Sequence, residues 1–218
     1  MVDVNIIETG SSGNCTIYDK SVMVDCGVSY KKVQPFIEDL KLVLLTHVHS
    51  DHFKVSTIRR MALEKPKLRV ACCGWLAKPL ADANVSKSQI IVLKPNFIYD
   101  FGICSVIPVE VEHDVPNVAY KIMFPSCKVF YATDCVNLKG IIARHFDIYC
   151  VEANYQKDEL KARMDAKKEA GLYPYEQRVM RCHMSKEDCD DWLVRNMGPN
   201  SQYMYMHCHV DKEESHEG

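Results

Sequence analysis

The chain begins with short apolar segments separated by turn-forming residues, a pattern typical of β-strands. Apolar and β-branched residues fill the runs 2–7, 15–18 and 21–25, and the first two are separated by the turn cluster 10–14. The run 30–40 has helical spacing, and Pro35 fits a helix there only in the first turn. A continuous apolar strand follows at 42–46. This order predicts a β-meander, a helix and then a strand that is covered on both faces.

Strands and helices then alternate, which favours a layered α/β fold. The pattern predicts helices at 56–64, 75–82, 157–170 and 185–196, and strands at 68–72, 90–93, across most of 97–135, at 146–151 and at 203–209. Ser185 followed by Asp188 resembles a helix-capping pair. Residues 211–218 read as a polar tail. No repeat or long linker divides the chain, so we expect one domain over 1–218.

Composition narrows the class of protein. The 218 residues are 47% hydrophobic and 26% charged, as in ordinary soluble globular proteins. Apolar runs are too short to span a membrane, and the first residues lack a signal-peptide pattern, so we expect a cytoplasmic protein without a membrane partner. Eleven cysteines, an odd number that includes the adjacent Cys72 and Cys73, indicate reduced thiols. The net charge of −2 gives no global attraction for a polyanion.

The densest chemical signal directly follows the strand at 42–46. His47, His49, Asp51 and His52 lie within six residues. In an extended chain, residues two apart share a side, so His47 and His49 can bind one metal ion. Asp51 and His52, after the turn, suit a second ion nearby, as in two-metal hydrolases. The spacing therefore favours a metal site over a surface histidine cluster.

This T-H-x-H-x-D-H motif resembles the signature of the metallo-β-lactamase superfamily. Its five motifs recur in order along nearly the whole chain, at Asp25, the histidine motif, His113, Asp134 and a late histidine. The resemblance implies a four-layer αββα sandwich, with two mixed sheets flanked by helices. It also implies that His47, His49 and His113 hold one ion, that Asp51, His52 and the late histidine hold another, and that Asp134 bridges both. Asp25 would then orient the histidine motif.

His207 and His209 both qualify as the late histidine. His209 is preferred, because the residues that follow it resemble an H-L-S-K-E stretch in the YycJ-like branch of the superfamily, although Asp211 replaces the serine. The turn that contains Ser11, Ser12 and Asn14 resembles a G-S-S-G-N segment of that branch, and it implies either substrate contact or a plain hairpin turn. The stretch around His183 resembles a motif of RNase Z-like phosphodiesterases, in which a histidine paired with a glutamate lies beside the scissile phosphate. That glutamate would be Glu152.

The implied reaction is hydrolysis of a phosphodiester, either in a nucleic acid or in a small or cyclic nucleotide. Two divalent cations outweigh the charges of Asp51, Asp134 and a bridging hydroxide, so the site attracts an anion. The hydroxide would attack phosphorus, Asp51 would orient it, and His183 would protonate the leaving oxygen. Zinc is expected from the many imidazoles, with manganese or iron as alternatives. Two other functions remain open: hydrolysis of a carboxylic ester, thioester or lactam, and a metal-bound module without catalysis.

Overall fold

Two mixed β-sheets of six strands each form the centre of the described chain, residues 2–174 and 176–208 of a computed structural model. The first sheet contains β1 Val4–Glu8, β2 Cys15–Tyr18, β3 Val22–Val24, β4 Leu42–Leu45, β5 Arg69–Cys73 and β6 Ile90–Leu93. The second contains β7 Tyr99–Asp100, β8 Ser105–Val111, β9 Asn117–Phe124, β10 Cys127–Ala132, β11 Ile148–Glu152 and β12 Gln202–Met206. Strands adjacent along the chain are adjacent in each sheet.

Within each sheet the pairing of neighbouring strands changes once between antiparallel and parallel. β1, β2 and β3 form the antiparallel meander that the sequence predicts, whereas β3 to β6 run parallel. In the second sheet β7 to β10 are antiparallel and β10 to β12 are parallel. Parallel neighbours need crossover connections, and these connections carry the long helices.

The helices of the described chain are α1 Tyr30–Val33, α2 Val55–Glu64, α3 Gly74–Asp82, α4 Lys157–Glu169, α5 Glu176–Cys182 and α6 Lys186–Asn196. Two of them differ from expectation. The helix predicted at 30–40 stops at Val33 and continues as a 3₁₀ turn, Gln34–Phe36, because Pro35 cannot donate a backbone hydrogen bond. The sequence did not predict α5.

Alternation along β4 shows how the layers are built. Leu42 and Leu44 pack between the two sheets, whereas Val43 and Leu45 face the layer of α2 and α3. On the far side, Trp192 of α6 stacks on Phe130 of β10, with ring centroids 4.8 Å apart. Burying each such side chain contributes roughly 1.5–3 kcal/mol. The expected four-layer αββα sandwich is confirmed.

The state of the cysteines and the character of the helices both bear on what the composition predicts. All eleven cysteines are free, and ten of them are buried, as expected for reduced core thiols. Among the described helices, none has both the length and the apolar character that crossing a bilayer requires.

Candidate metal centre and active site

The candidate site lies where strand ends of both sheets meet. β3 and β4 run parallel, and so do β10, β11 and β12, while β8 shares the direction of β10 because both flank the antiparallel β9. Their carboxyl ends therefore lie at one edge of the sandwich. The residues at or just beyond these ends are Asp25, His47, His113, Asp134, Glu152 and His207.

Three of these residues leave their strands in a left-handed backbone conformation. The φ angles of Asp25, Asp134 and His207 are 59°, 53° and 52°. Non-glycine residues occupy this region rarely, and such strain, of the order of 1 kcal/mol or more per residue, is concentrated at functional sites. The turn breaks the strand alternation and directs the three side chains into one cluster.

The first ligand set, here called site A, consists of His47, His49 and His113, whose nitrogens lie within 4.8 Å of one another. His47 Nε2 is 3.2 Å from His49 Nδ1. Two nitrogens bound to one tetrahedral zinc at about 2.05 Å lie roughly 3.3 Å apart, so this spacing fits a shared ion. His113 donates from Nδ1 to the carbonyl of Cys182 at 2.9 Å, which leaves Nε2 for the ion.

The second set, site B, consists of Asp51, His52 and His207. His52 donates from Nδ1 to Asp25 at 2.7 Å, and its Nε2 is 3.6 Å from Asp51 Oδ2. His207 Nε2 lies 3.9 Å from the same carboxylate oxygen. Each residue therefore offers one ligand atom, and these three atoms lie within 4.8 Å of one another.

Asp134 lies between sites A and B and is 3% exposed. Its Oδ1 is 4.0 Å from His113 Nε2 and 3.8 Å from His207 Nε2. Burial raises the pKa of this carboxyl, but the nearby imidazole of His52, with smaller contributions from His207 and His47, outweighs burial and holds the pKa well below its usual value. Asp134 is thus an anion placed between two groups of imidazoles.

The residues present fit divalent cations. His113 Nε2, His207 Nε2 and Asp134 Oδ2 are buried without a hydrogen-bond partner. Asp134 Oδ2 is 2.7 Å from His52 Nε2, but that approach lacks hydrogen-bond geometry. Buried polar atoms left without partners are costly, and here they face each other across one small space. Burial also lowers the pKa of His47 and His113, which favours the neutral form that binds metal.

Asp25 contacts residues at both ends of the histidine motif. Its Oδ1 accepts hydrogen bonds from the backbone N–H and the hydroxyl of Thr46, both at 2.9 Å. Its Oδ2 accepts from His52. Burial disfavours the charged imidazole of His52, but the carboxylates of Asp25 and Asp134 together raise the pKa of His52 well above its usual value. Asp25 thus fixes both the start of the histidine motif and one site B imidazole.

His183 and Glu152 form the expected pair beside the two sites. His183 Nδ1 is 2.7 Å from Glu152 Oε1, and Glu152 is fully buried, with Oε2 accepting from the backbone of Cys135 at 2.8 Å. Burial lowers the pKa of His183, whereas the hydrogen bond and charge of Glu152 raise it, and the net shift is upward. Because Nδ1 faces Glu152, Nε2 is free for a substrate, and His183 lines the pocket.

The N-terminal turn reaches the site only in part. Ser11 lines the pocket, whereas Ser12 donates to Glu8 at 2.9 Å. Asn14 is fully buried, and its side chain bonds the backbone of Gly10 in both directions. Its amide also lies 2.8 Å from His52 Nε2. In the structure Asn14 therefore holds the turn against site B and is not part of the pocket wall.

The strand predicted at 203–209 ends at Met206 within the described residues, so His207 lies just beyond the strand and not on it as expected. His207 turns into site B through its left-handed backbone, and its N–H donates to Thr9 at 2.7 Å. His209, the preferred late ligand from the sequence, lies outside the described residues. The signal that could have favoured His207 is its place directly after the apolar strand, as with Asp25.

An open pocket of about 370 Å³ exposes part of this cluster. It is lined by Ser11, His49, Asp51, His113, Asp114, Asp134, Arg178, Val179, Cys182, His183 and His207. The volume lies within the roughly 300–1,000 Å³ usual for ligand pockets. Four lining residues, from Arg178 to His183, come from α5 and the residue after it. The sequence did not predict this helix and therefore missed one wall of the pocket.

Two named relatives resemble the chain over most of their length. The present chain is 28% identical over 235 residues to "Exodeoxyribonuclease WalJ" of Streptococcus pneumoniae, and the alignment covers 96% of this chain and 81% of the relative. It is 22% identical to "Exodeoxyribonuclease YycJ" of Bacillus anthracis, covering 93% and 80%.

Solved structures share the fold. The metallo-β-lactamase fold protein YhfI of Bacillus subtilis superposes with a TM-score of 0.72 at 17% identity, covering 94% of this chain and 85% of the other. The short form of human tRNase Z superposes with a TM-score of 0.67 at 14% identity, covering 95% and 92%. The family described as "Beta-lactamase superfamily domain" matches residues 20–208. With the histidine motif, Asp134 and the two-sheet fold all in place, the chain belongs to this β-lactamase superfamily.

Proposed function

We propose that this protein is a metal-dependent hydrolase of phosphodiester bonds, with two divalent cations held in sites A and B. One observation carries the proposal: His183, held by the buried Glu152, lines the same pocket as His49 and His113 of site A and Asp51 and His207 of site B. A metal site alone fits many hydrolases. A histidine held by a buried carboxylate beside it adds a proton donor for a departing oxygen, which a phosphodiester requires.

The proposed ligands are His47, His49 and His113 in site A, and Asp51, His52 and His207 in site B, with Asp134 shared. Divalent cations bound there lower the pKa of a water molecule and offset the charge of a phosphate. Zinc suits this imidazole-rich set best. Asp25 accepts the hydrogen bond from His52 Nδ1, so Nε2 is the nitrogen that faces site B.

The chain's own groups supply the proton transfers. Asp51 is 23% exposed at its side chain and lines the pocket, where it can accept a hydrogen bond from the attacking water. His183 donates a proton from Nε2 to the leaving oxygen, and Glu152 stabilises the charged imidazole through Nδ1. The upward shift in the pKa of His183 keeps more of it protonated near neutral pH.

Nucleic acid is the proposed substrate, and DNA is the first to test. Two relatives that match nearly the whole chain are named exodeoxyribonucleases. The pocket is open to solvent, which suits the end of a polymer, whereas an enclosed site would suit a small cyclic nucleotide better. Eleven free cysteines suit a reducing compartment, which supports the cytoplasm as its location.

The test is hydrolysis of bis(p-nitrophenyl) phosphate and of end-labelled DNA by protein loaded with zinc or manganese. We expect both to be cleaved, with activity lost in the presence of a chelator. Asp51→Asn should lower kcat by roughly 10²–10⁴, the usual contribution of a positioned proton acceptor. Asp39→Asn, at an exposed aspartate that does not line the pocket, is the matched control and should keep full activity.

Two results would overturn the proposal. One is hydrolysis of the lactam nitrocefin without cleavage of either phosphodiester. The other is full phosphodiester cleavage after exhaustive removal of metal, because sites A and B would then have no part in the reaction.

A further inference from the structure

Arg178 occupies a distinctive position in the pocket. Among the lining residues it is the one with a side chain that is cationic at every physiological pH, since the others are carboxylates, imidazoles and neutral groups. A guanidinium is planar and presents paired N–H donors that match two phosphate oxygens. Its position therefore points to a second anion-binding element, separate from sites A and B.

The backbone beneath Arg178 is tied to the metal centre. The carbonyl of Cys182, at the end of α5, accepts the hydrogen bond from His113 of site A. The N–H of His183 in turn donates to the carbonyl of Val179 at 2.9 Å. One short helix thus connects a site A ligand, the proposed proton donor and Arg178. The distance from Arg178 to the reacting centre is set by this helix and not by a free loop.

The side chain of Arg178 has one carboxylate partner and remains accessible. Its Nη2 is 3.3 Å from Asp114 Oδ2, and the side chain is 81% exposed. The other oxygen of Asp114 lies 3.1 Å from His113 Nε2 and 3.4 Å from His49 Nε2. A single exposed contact of this kind contributes little to stability, so the guanidinium can exchange Asp114 for another anion. Asp114 directs the guanidinium toward the pocket.

The spacing suits a neighbouring phosphate of a chain. Arg178 precedes His183 by five residues, which corresponds to roughly 7.5 Å along a helix axis. This is comparable with the length of one nucleotide in an extended strand. A phosphate at His183 and the next phosphate along the strand can therefore be contacted from the same helix.

We infer that Arg178 binds the phosphate adjacent to the scissile one and so makes the protein select substrates with more than one phosphodiester. The inference rests on the proposed function and deepens it, since it names polynucleotides over isolated phosphodiesters as the substrate class. Arg178 acts here as a binding residue and takes no part in proton transfer.

The experiment compares Arg178→Ala and Arg178→Lys with Arg181→Ala, an exposed arginine on the same helix that does not line the pocket. Steady-state kinetics are measured with a single-stranded oligodeoxynucleotide and with bis(p-nitrophenyl) phosphate, which has one phosphodiester. Oligonucleotide binding is measured separately by fluorescence anisotropy, at several salt concentrations, on metal-loaded protein that also carries His183→Asn.

For Arg178→Ala we expect KM for the oligonucleotide to rise about tenfold, since a lost charge-assisted hydrogen bond of 1.5–3 kcal/mol corresponds to about tenfold or more. Its kcat should change less than KM, and the loss for the oligonucleotide should exceed the loss for bis(p-nitrophenyl) phosphate at least fivefold. The slope of log Kd against log salt should fall by roughly 0.7, the value for one phosphate of a single strand. Arg178→Lys should restore the salt slope, and Arg181→Ala should match the wild type.

Failure of the inference and failure of the proposed function give different results. If the wild type cleaves both substrates and Arg178→Ala binds the oligonucleotide with unchanged Kd and salt slope, the inference is overturned and the function stands. An equal loss for both substrates also overturns it, because Arg178 would then only hold α5 in place. If the wild type cleaves neither substrate, the proposed function fails, and the inference fails with it.

Discussion

At the scale of one residue, Asp25 is a carboxylate that holds a proposed metal ligand, His52, without belonging to either ligand set. Asp25 is fully buried. Its Oδ1 accepts a hydrogen bond from Thr46, and its Oδ2 accepts one from His52. Its left-handed backbone, with φ of 59°, places both oxygens where strand geometry would not. Such partners of metal ligands set the orientation of the imidazole and its basicity.

Replacing Asp25 tests this role. In Asp25→Asn one oxygen becomes an NH₂ group, which donates and cannot accept, so the hydrogen bond from either Thr46 or His52 is lost. Metal affinity should fall roughly 10–100-fold, the usual effect of losing such a partner. The measurement is competition for zinc with a chromogenic chelator. Asp19→Asn is the control, because Asp19 is exposed and also left-handed, with φ of 47°. Equal zinc affinity in the two variants would contradict the role.

His183 offers a second test at this scale. In His183→Asn the side-chain amide can still donate to Glu152, but no group remains at the position of Nε2. We expect kcat to fall roughly 10²–10⁴-fold while both metals are retained. The proton donor works only while protonated, so wild-type kcat should fall as pH rises through the raised pKa of His183. This fall in kcat with rising pH should be absent in His183→Asn. A variant with the same pH profile of kcat as the wild type would count against proton donation by His183.

Residue identities could be predicted where they are contiguous. His47, His49, Asp51 and His52 lie within six residues, and the chemistry of that spacing is visible without a fold. The position of His207 beside Asp51 and His52 could not be predicted from the sequence, because it depends on where β12 ends and on the left-handed turn after it. Backbone conformation of this kind is set by tertiary packing and not by residue type.

At the scale of elements, Gly27 allows two site loops to approach each other. A Cβ built at Gly27 would lie 1.7 Å from the backbone oxygen of Asp51. The loop after β3 and the histidine motif could not then hold their present spacing. Their contact includes the hydrogen bond from Cys26 N–H to the carbonyl of His52 at 2.8 Å.

Gly27→Ala should therefore disturb folding and metal binding together. We expect a loss of several kcal/mol in the free energy of unfolding, as for backbone overpacking in general. Gly74→Ala is the matched control: Gly74 begins α3, its Cβ would meet no atom within 4 Å, and alanine favours a helix by roughly 0.5–1 kcal/mol. Denaturant unfolding measures the free energy of unfolding of both variants. If Gly27→Ala were as stable as Gly74→Ala, the close approach of the two loops would not require glycine at position 27.

Ser185 caps the helix that follows His183. Its hydroxyl accepts from the backbone N–H of Asp188 at 3.1 Å, which confirms the capping pair expected from the sequence. Ser185→Ala should cost about 0.5–2 kcal/mol in the free energy of unfolding. Ser29 precedes α1 without a side-chain cap bond, so Ser29→Ala should cost less. Urea denaturation of the two variants checks the difference, and equal losses would show that the Ser185 cap contributes nothing.

Most elements could be predicted from hydrophobic spacing, but α5 could not. Its seven residues are too few for helical periodicity to show, and an isolated helix of that length is unstable in water. Tertiary contacts support it instead, including the hydrogen bond from His113 to the Cys182 carbonyl. This explains why one wall of the pocket was missing from the sequence-based account.

At the scale of the whole molecule, the two sheets bring the ligands together. Site A and site B each combine histidine-motif residues after β4 with one histidine from the second sheet, His113 or His207. The packed face between the sheets, which includes Leu44 and Tyr120, holds these halves in register. The order of the layers could be predicted from the motif resemblance. Which strand ends of the two sheets lie next to each other could not be predicted from the sequence, because it depends on how the sheets pack.

The most direct test of the account is the metal content of the purified full chain, measured by elemental analysis after loading and gel filtration. We predict two divalent ions per chain in the wild type and one in His207→Ala, which leaves site A complete. A wild-type chain that binds no metal at saturation would contradict the central claim. So would a His207→Ala chain that still holds two ions, because His207 would then not be a ligand of site B.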